Sequence, residues 1–164
     1  GVQKTLVFGP HRRYGSIMDK VQTLTSGPIY WFADWPTGSL PSEGAIVYTI
    51  WDREFEFVYV GMVGRGRRGG RPKERLRNHA SGSRSGDQFC LYVCDRLVLP
   101  TVESRLSEVV SGILSLDALT REYIRANLGF RWVSVEDGSV AQELEHYFRL
   151  GKGPSGRPLL NRGP

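Results

Sequence analysis

Runs of apolar, β-branched residues in the middle and late parts of the chain predict four strands of a small sheet. Ala45–Trp51 and Phe55–Val60 are two such runs, and the short polar link between them predicts an antiparallel hairpin. Gln88–Leu99 is predicted as a third strand and Phe130–Val135 as a short fourth one. We therefore expect a small central sheet that is largely antiparallel.

Apolar residues recur at helical spacing between and after these runs. The pattern predicts a short helix within Ser16–Leu24, a helix that starts at Pro72, and helical structure in Thr101–Asn127. A last helix, capped by Ser139, has Val140, Leu144, Tyr147 and Phe148 on its buried side. Helices on both sides of the sheet would give an α/β fold.

Residues 1–43 differ from the rest because proline and glycine interrupt them repeatedly. They contain the predicted short helix and a short strand, Ile29–Phe32. This segment is too short to form its own core. We expect an N-terminal extension that packs on a main domain of residues 44–164, with an extended tail from Gly151.

Composition narrows the class of protein. The chain has 164 residues, of which 40% are hydrophobic and 24% are charged, as in an ordinary single globular domain. No apolar run approaches the roughly 18 residues that would indicate a membrane span. Cys90 and Cys94 would lie about 13 Å apart on the predicted third strand, too far for a disulfide. Free thiols, with no secretory segment at the start, favour a cytoplasmic protein without a membrane partner.

The positive charge is concentrated in one window. Residues 64–84 hold eight basic residues and one acidic residue, whereas the whole chain has a net charge of +5. Such a basic patch on a near-neutral body is typical of a phosphate-binding surface, and it predicts contact with nucleic acid. The bases are Arg65, Arg67, Arg68, Arg71, Lys73, Arg75, Arg77 and Arg84.

An ordered series of residues runs through the predicted elements. It consists of Tyr48 in the first hairpin strand, Tyr59-Val60-Gly61 in the second, Arg75-Leu76 and His79 on the following helix, Leu144-Glu145 and Phe148 on the last helix, and Pro158 with Asn161 in the tail. In this order and spacing, the series resembles the GIY-YIG nuclease superfamily. The resemblance extends from Gly44 to Asn161.

The resemblance implies phosphodiester hydrolysis. It makes Tyr48 the general base and Tyr59 its hydrogen-bonding partner. A phenol has an ordinary pKa near 10, so a neighbouring arginine or a metal-bound water would have to lower the pKa of Tyr48. Arg75 would stabilise the transition state at phosphorus. His79 would hydrogen-bond a phosphate oxygen or the attacking water.

The resemblance also implies one divalent cation, most simply Mg²⁺, or another such as Mn²⁺. Glu145 is the expected ligand because it follows Leu144, while Glu143 is the competing choice. Asn161 would help to fix the active centre or would support a turn in the tail. Met62 stands where many relatives carry lysine, so Lys73 or Arg65 would supply that charge.

These features together predict a metal-dependent DNA endonuclease, with double-stranded DNA the favoured substrate and RNA left open. A sequence-specific restriction-type enzyme is the favoured interpretation, since the Gly64–Arg71 loop would contact phosphate or enter a groove. A homodimer or sequential nicking would then be needed to cut both strands. The alternatives are a nicking or structure-selective repair nuclease and a catalytically silent nucleic-acid-binding module.

Overall fold

Four strands form one antiparallel sheet in the computed structural model, which describes residues 11–161. The predictions for the first ten and last three residues lie outside the described residues. The strands are β1 (Tyr30–Trp31), β2 (Ala45–Trp51), β3 (Phe57–Val63) and β4 (Gly129–Val135). Their order is β1-β4-β2-β3, and every neighbouring pair is antiparallel. With helices flanking this sheet, the predicted α/β class is confirmed.

The sheet separates two apolar cores because successive side chains of a strand point to opposite faces. On β2, Ile46, Tyr48 and Ile50 belong to one core, while Val47 and Trp51 belong to the other. The helices are α1 (His11–Ser26), α2 (Pro72–Ser81), α3 (Gln88–Val93), α4 (Leu106–Val110), α5 (Leu116–Asn127) and α6 (Gly138–Arg149).

The predicted third strand, Gln88–Leu99, is wrong, because this stretch is helical. Its residues form α3, a π-helical turn over Cys94–Val98 and a 3₁₀ turn over Leu99–Thr101. Asp87 caps α3 by accepting a hydrogen bond from the backbone N–H of Cys90. The separation of about 13 Å between the two cysteines was derived from strand geometry, so it does not apply to this helical stretch. Both cysteines are nevertheless buried free thiols.

The helical segment predicted over Thr101–Asn127 is interrupted. Gly112 has a positive φ of 78° after α4, and Ser115 then caps α5 by accepting a hydrogen bond from Ala118 N. The interruption turns Val110 and Ile113 outward, where they are 80% and 79% exposed. Helical spacing alone therefore overestimated the core in this region.

Smaller differences concern where elements begin. β3 starts at Phe57 rather than Phe55, because Phe55 lies in the hairpin turn with a φ of 61°. Asp52, whose side chain accepts hydrogen bonds from the N–H groups of Glu54 and Glu56, stabilises that turn. The cap of α6 is Asp137, not Ser139.

The described part of the N-terminal extension packs on the sheet. Leu24, Phe32 and Leu40 are buried in the two cores, and β1 adds a short strand beside β4. The Thr49 hydroxyl also donates a 2.6 Å hydrogen bond to the Leu24 carbonyl. Within residues 11–161, no helix has both the length and the hydropathy that crossing a membrane requires.

Candidate active site

A cleft of about 1020 Å³ brings together four of the six residues expected to carry catalysis and three of the predicted DNA-binding arginines. Its walls come from β3, the loop after it, α2, the start of α3, and α6. These residues are Tyr59, Arg75, His79 and Glu145, with Arg65, Arg68 and Arg71.

The buried base of the cleft is a hydrogen-bonded chain of Tyr48, His79 and Asp87, which we call the floor. The Tyr48 hydroxyl oxygen lies 2.7 Å from His79 Nε2, and His79 Nδ1 lies 2.7 Å from Asp87 Oδ2. Only 2% of the His79 side chain and 8% of the Asp87 side chain are exposed. Both imidazole nitrogens are therefore occupied, and His79 does not have a free nitrogen for the phosphate or water predicted from the sequence.

The protonation of the floor follows from its electrostatics. Burial lowers the pKa of His79 below 6.5, although the hydrogen bond to Asp87 acts in the opposite direction. Burial tends to raise the pKa of Asp87, but the bond to His79 and the N–H of Cys90 hold it below 3.8. Near neutral pH the floor therefore pairs a neutral imidazole with a carboxylate.

The direction of both hydrogen bonds follows from these states. A carboxylate only accepts hydrogen bonds, so the imidazole proton of His79 is on Nδ1 and this N–H donates a hydrogen bond to Asp87. His79 Nε2 then has a lone pair, and the Tyr48 hydroxyl donates to it. The floor is thus arranged to take a proton from Tyr48.

Gly61 makes room for the ring of Tyr48. The two residues are directly opposite in the β2–β3 register, and a Cβ at Gly61 would overlap the Tyr48 hydroxyl oxygen. This close approach gives the glycine of the Tyr-Val-Gly triplet a steric role.

The two tyrosines differ in access to the cleft. Tyr48 is only 1% exposed and lies behind the cleft wall, whereas the half-buried Tyr59 lines it. They are diagonal neighbours across the hairpin, with ring centroids 6.4 Å apart. Burial raises the pKa of Tyr48 well above 10 and that of Tyr59 to about 12. Desolvation outweighs the lowering effect of Arg75 on the pKa of Tyr48, so this arginine alone does not supply the lowered pKa that a general base requires.

Glu145 is the acidic residue of α6 that faces the cleft. Its side chain is 14% exposed, and burial raises its pKa above 4.5. Arg149 Nε lies 3.6 Å from Glu145 Oε1, too far for a good hydrogen bond. Glu143 is exposed and does not line the cleft, which favours Glu145 as the ligand.

The donor set suits only a weakly held hard cation. Within residues 11–161, no group of three histidine, cysteine or acidic residues is placed to bind a metal. Mg²⁺, however, is commonly held by one or two carboxylates, water and substrate phosphate. Glu145 fits that mode, in which a substrate phosphate would supply further oxygens.

The upper edge of the cleft is formed by Arg65, Arg68 and Arg71, which we call the rim. Arg65 and Arg68 pair with each other through reciprocal backbone hydrogen bonds of 3.0 and 2.7 Å, which close a tight turn. The Gly66 carbonyl accepts a hydrogen bond from Ser139 N at the start of α6. The basic loop therefore has a defined conformation that is tied to the helix carrying Glu145.

The other predicted DNA-binding residues lie away from the cleft wall. Arg67 is exposed in the tight turn, while Lys73 and Arg77 line a second cavity of about 690 Å³ beside Trp35. Arg65 lines the cleft together with Met62, whereas Lys73 does not. Arg65 is therefore the better candidate for the positive charge that the resemblance leads us to expect near Met62. Arg84 is engaged elsewhere, because its Nε lies 2.6 Å from Asp117 Oδ1.

Asn161 binds the backbone of β3. Its side chain accepts a 2.7 Å hydrogen bond from Val60 N and donates a 2.8 Å bond to Val60 O. Because Val60 directly follows Tyr59, Asn161 supports the site from behind and does not line the cleft.

Asp87 is the one member of the floor that we did not predict from the sequence, where it fell at the end of a loop. An Asp directly before an apolar segment is a helix-capping signal, but the mistaken strand concealed it. Only the three-dimensional arrangement reveals its second role beside His79.

Comparison of the chain with models of known protein families, with functionally described proteins and with solved structures finds no match.

Proposed function

We propose that this chain is a metal-dependent DNA endonuclease of the GIY-YIG type. The observation that carries the proposal is the buried Tyr48–His79–Asp87 floor directly beside a cleft lined by Arg75 and Glu145. Arg75, Asp87 and Glu145 all act electrostatically on the Tyr48 hydroxyl, so the groups required for hydrolysis converge on one place.

In the proposed reaction, a water oxygen attacks phosphorus as the bond from phosphorus to the 3′ oxygen breaks. The water gives a proton to the Tyr48 oxygen, and the original Tyr48 proton passes to His79 Nε2. Transfer through tyrosine avoids a free tyrosinate, which the raised pKa of Tyr48 disfavours. The 3′ oxygen takes a proton from solvent, and His79 later releases its extra proton through Tyr48 to solvent, which restores the starting state. The products are a 5′ phosphate and a 3′ hydroxyl.

Other cleft residues bind and orient the substrate. Arg75 donates hydrogen bonds to the phosphate oxygens, where negative charge increases in the transition state. Glu145 would hold the divalent cation, which when bound neutralises phosphate charge as a Lewis acid. Because Tyr48 is buried, the attacking water must enter beside it when DNA occupies the cleft.

The rim supports binding to the nucleic-acid backbone. Arginine suits bidentate contact with phosphate or with guanine, and the ordered turn of Arg65 and Arg68 holds two such side chains on one edge. We therefore keep a sequence-specific restriction-type enzyme acting on double-stranded DNA as the favoured form of the proposal.

The test is incubation of purified protein with supercoiled plasmid in Mg²⁺ and in EDTA. Glu145→Ala is the test variant, and Glu143→Ala is its matched control on the same helix. We expect discrete fragments that require metal and Glu145 but not Glu143.

The other results would revise the proposal in different ways. Nicked circles alone would favour a nicking or structure-selective nuclease. Absence of cutting, with salt-sensitive DNA binding retained, would indicate the silent binding module. Equal loss of activity in both glutamate variants would contradict Glu145 as the specific metal ligand.

A further inference from the structure

Asp87 occupies two hydrogen-bonding positions at once. Its Oδ1 accepts from Cys90 N at 3.2 Å, while its Oδ2 lies 2.7 Å from His79 Nδ1. The first contact caps α3 and orients the carboxylate, and the second reaches the histidine of the floor. A residue that only capped the helix would not need the second contact.

We propose that Asp87 is a positioning residue that holds His79 with a proton on Nδ1, leaving Nε2 open to accept the proton of Tyr48. This inference rests on the proposed nuclease function for its catalytic consequence. The tautomer itself is a property of the protein alone and is measurable without any substrate.

The tautomer of His79 depends on Asp87 and not on Tyr48. A neutral imidazole carries one proton, and whichever nitrogen lacks it must be the acceptor. On the Tyr48 side, a hydroxyl can donate or accept, so it does not choose between tautomers. On the Asp87 side, a carboxylate only accepts, so it selects Nδ1–H. Asp87 therefore decides the direction of both hydrogen bonds in the floor.

Replacement of Asp87 by asparagine should move the imidazole proton of His79 to the other nitrogen while preserving the cap of α3. The backbone N–H of Cys90 requires an acceptor, so the amide oxygen of the introduced side chain stays on that side. The amide NH₂ then faces His79 Nδ1 and donates to it. His79 must carry its proton on Nε2, where it blocks proton transfer from Tyr48.

The first measurement is imidazole ¹H–¹⁵N correlation NMR on the wild type and on Asp87→Asn. The chain has three histidines, and His79→Gln assigns the relevant signals by their loss. We expect protonated Nδ1 in the wild type and protonated Nε2 in Asp87→Asn. Protonated Nε2 in the wild type, or an unchanged tautomer in the variant, would overturn the inference.

The second measurement is plasmid cleavage by the same proteins. Asp87→Asn should lower the cleavage rate by about 10²- to 10⁴-fold with DNA affinity unchanged. Asp87→Glu, which keeps a carboxylate, should restore part of the rate. A cleavage rate for Asp87→Asn equal to that of the wild type would overturn the positioning role.

Asp137→Asn is the matched control because Asp137 also caps a helix, through Ser139 N and Val140 N, with no histidine hydrogen-bonded to it in the described structure. It should leave the His79 tautomer and the cleavage rate near wild type. If Asp137→Asn lowered cleavage as much as Asp87→Asn, the effect would be one of capping and the inference would fail.

A pH–rate profile provides a readout that a purely structural role would not move. The groups facing His79 are Asp87 from the start of α3, Arg75 from α2, Tyr48 from β2 and Tyr59 from β3. Asp87 raises the pKa of His79, so the acid limb of the residual activity in Asp87→Asn should move to lower pH. An acid limb that did not move would contradict the proposal.

Failure of the proposed nuclease function and failure of the inference about Asp87 would give different results. If the wild type cuts no plasmid, the nuclease function fails, while the NMR comparison still supports or overturns the role of Asp87. If the wild type cuts but Asp87→Asn keeps both tautomer and rate, the nuclease function stands and the inference falls.

Discussion

The floor and the rim lie in one cleft but use charge in opposite ways. In the floor, Tyr48, His79 and Asp87 are nearly excluded from water and satisfy one another. Burial raises the pKa of Tyr48 and lowers that of His79, whereas at Asp87 the effect of burial is outweighed by the hydrogen bond to His79 together with the N–H of Cys90, which lower the pKa. In the rim, the three arginines are exposed, and the paired backbone of Arg65 and Arg68 provides the order.

Under the proposed function, this difference assigns the chemistry to the floor and DNA binding to the rim. Buried groups are only weakly screened by salt, whereas exposed cations are screened within about 10 Å at moderate ionic strength. We therefore expect changes in the floor to alter the rate and its pH dependence. Changes in the rim should alter affinity and its salt dependence. The following predictions test that division.

The largest effect should come from Tyr48→Phe. Without the hydroxyl, His79 Nε2 loses its donor and the attacking water loses its proton acceptor. We expect the cleavage rate to fall by about 10²- to 10⁴-fold, with DNA affinity changed by no more than a few fold. Single-turnover cleavage and fluorescence anisotropy measure the two quantities.

Two other tyrosines serve as comparators for that variant. Tyr59→Phe should lower the rate less, because Tyr59 lines the cleft but makes no hydrogen bond to His79 in the described structure. Tyr123→Phe, on α5, should have no effect on cleavage. A larger loss for Tyr59→Phe than for Tyr48→Phe would show that the roles of the two tyrosines had been exchanged.

Acidification should destabilise the floor before it affects the rim. The folded pKa values of His79 and Asp87 both lie below their ordinary values of 6.5 and 3.8. The unfolded chain therefore binds more protons, and stability falls as the pH is lowered from 6.5, and further as it passes below 3.8. Glu145 has the opposite sign, but only around and above 4.5, because burial raises its pKa.

Thermal melts as a function of pH measure this effect, with His79→Gln as the comparison. The variant lacks the imidazole, so its Tm should fall less than that of the wild type as the pH is lowered from 6.5. Parallel Tm curves for the two proteins would contradict a depressed pKa at His79.

The rim should control the salt dependence of binding. Each phosphate contact contributes a slope of about −0.9 in a plot of log affinity against log salt. Replacing Arg65 and Arg68 together with glutamine should flatten the slope by about 2 if each contacts one phosphate. With Arg68→Gln alone, which keeps the charge of Arg65 near Met62, the rate at saturating DNA should stay near wild type.

Arg84→Gln is the control that sharpens this test. Arg84 belongs to the same basic window of the sequence but is paired with Asp117. Its removal should leave the salt slope unchanged. A slope reduced equally by Arg84→Gln would show that membership of the basic window, and not position on the rim, determines DNA contact.

The same comparison explains what the sequence could predict. The β2–β3 hairpin, β4 and α2 follow from local signals, namely apolar β-branched runs and the Pro72 start, and the structure agrees with them. The rim was predictable because clustered arginine is visible in the chain itself. The local sequence pattern was sufficient to predict features that depend on one continuous segment of the chain.

The floor was predictable only in part because its members are brought together by long-range packing. Tyr48 and His79 are 31 residues apart, and their 2.7 Å contact leaves no local signal. Asp87 was missed because Gln88–Leu99 is rich in residues that suit strands, and its helical burial pattern was interpreted as an apolar run. The sequence argument required a lowered pKa at Tyr48 but did not include its burial, because burial cannot be inferred from the neighbours in the chain.

Asn161→Ala should give the smallest effect, because this residue belongs to neither the floor nor the rim. β3 is an edge strand, and the tail covers its outer edge. Leu159 N and Leu160 N donate to the carbonyls of Phe57 and Val58, and Asn161 satisfies both backbone groups of Val60. Alanine would leave these two groups without their side-chain partner.

The expected cost of Asn161→Ala is about 1–3 kcal/mol of unfolding free energy, measured by urea denaturation. The cleavage rate should fall only slightly, since the neighbours of Val60, Tyr59 and Gly61, are held by pairing with β2. Asn161→Asp keeps the acceptor for Val60 N but loses the donor to Val60 O, so its stability should lie between those of Asn161→Ala and the wild type. A loss of cleavage by Asn161→Ala as large as that of Tyr48→Phe, at full stability, would instead place Asn161 in the reaction itself.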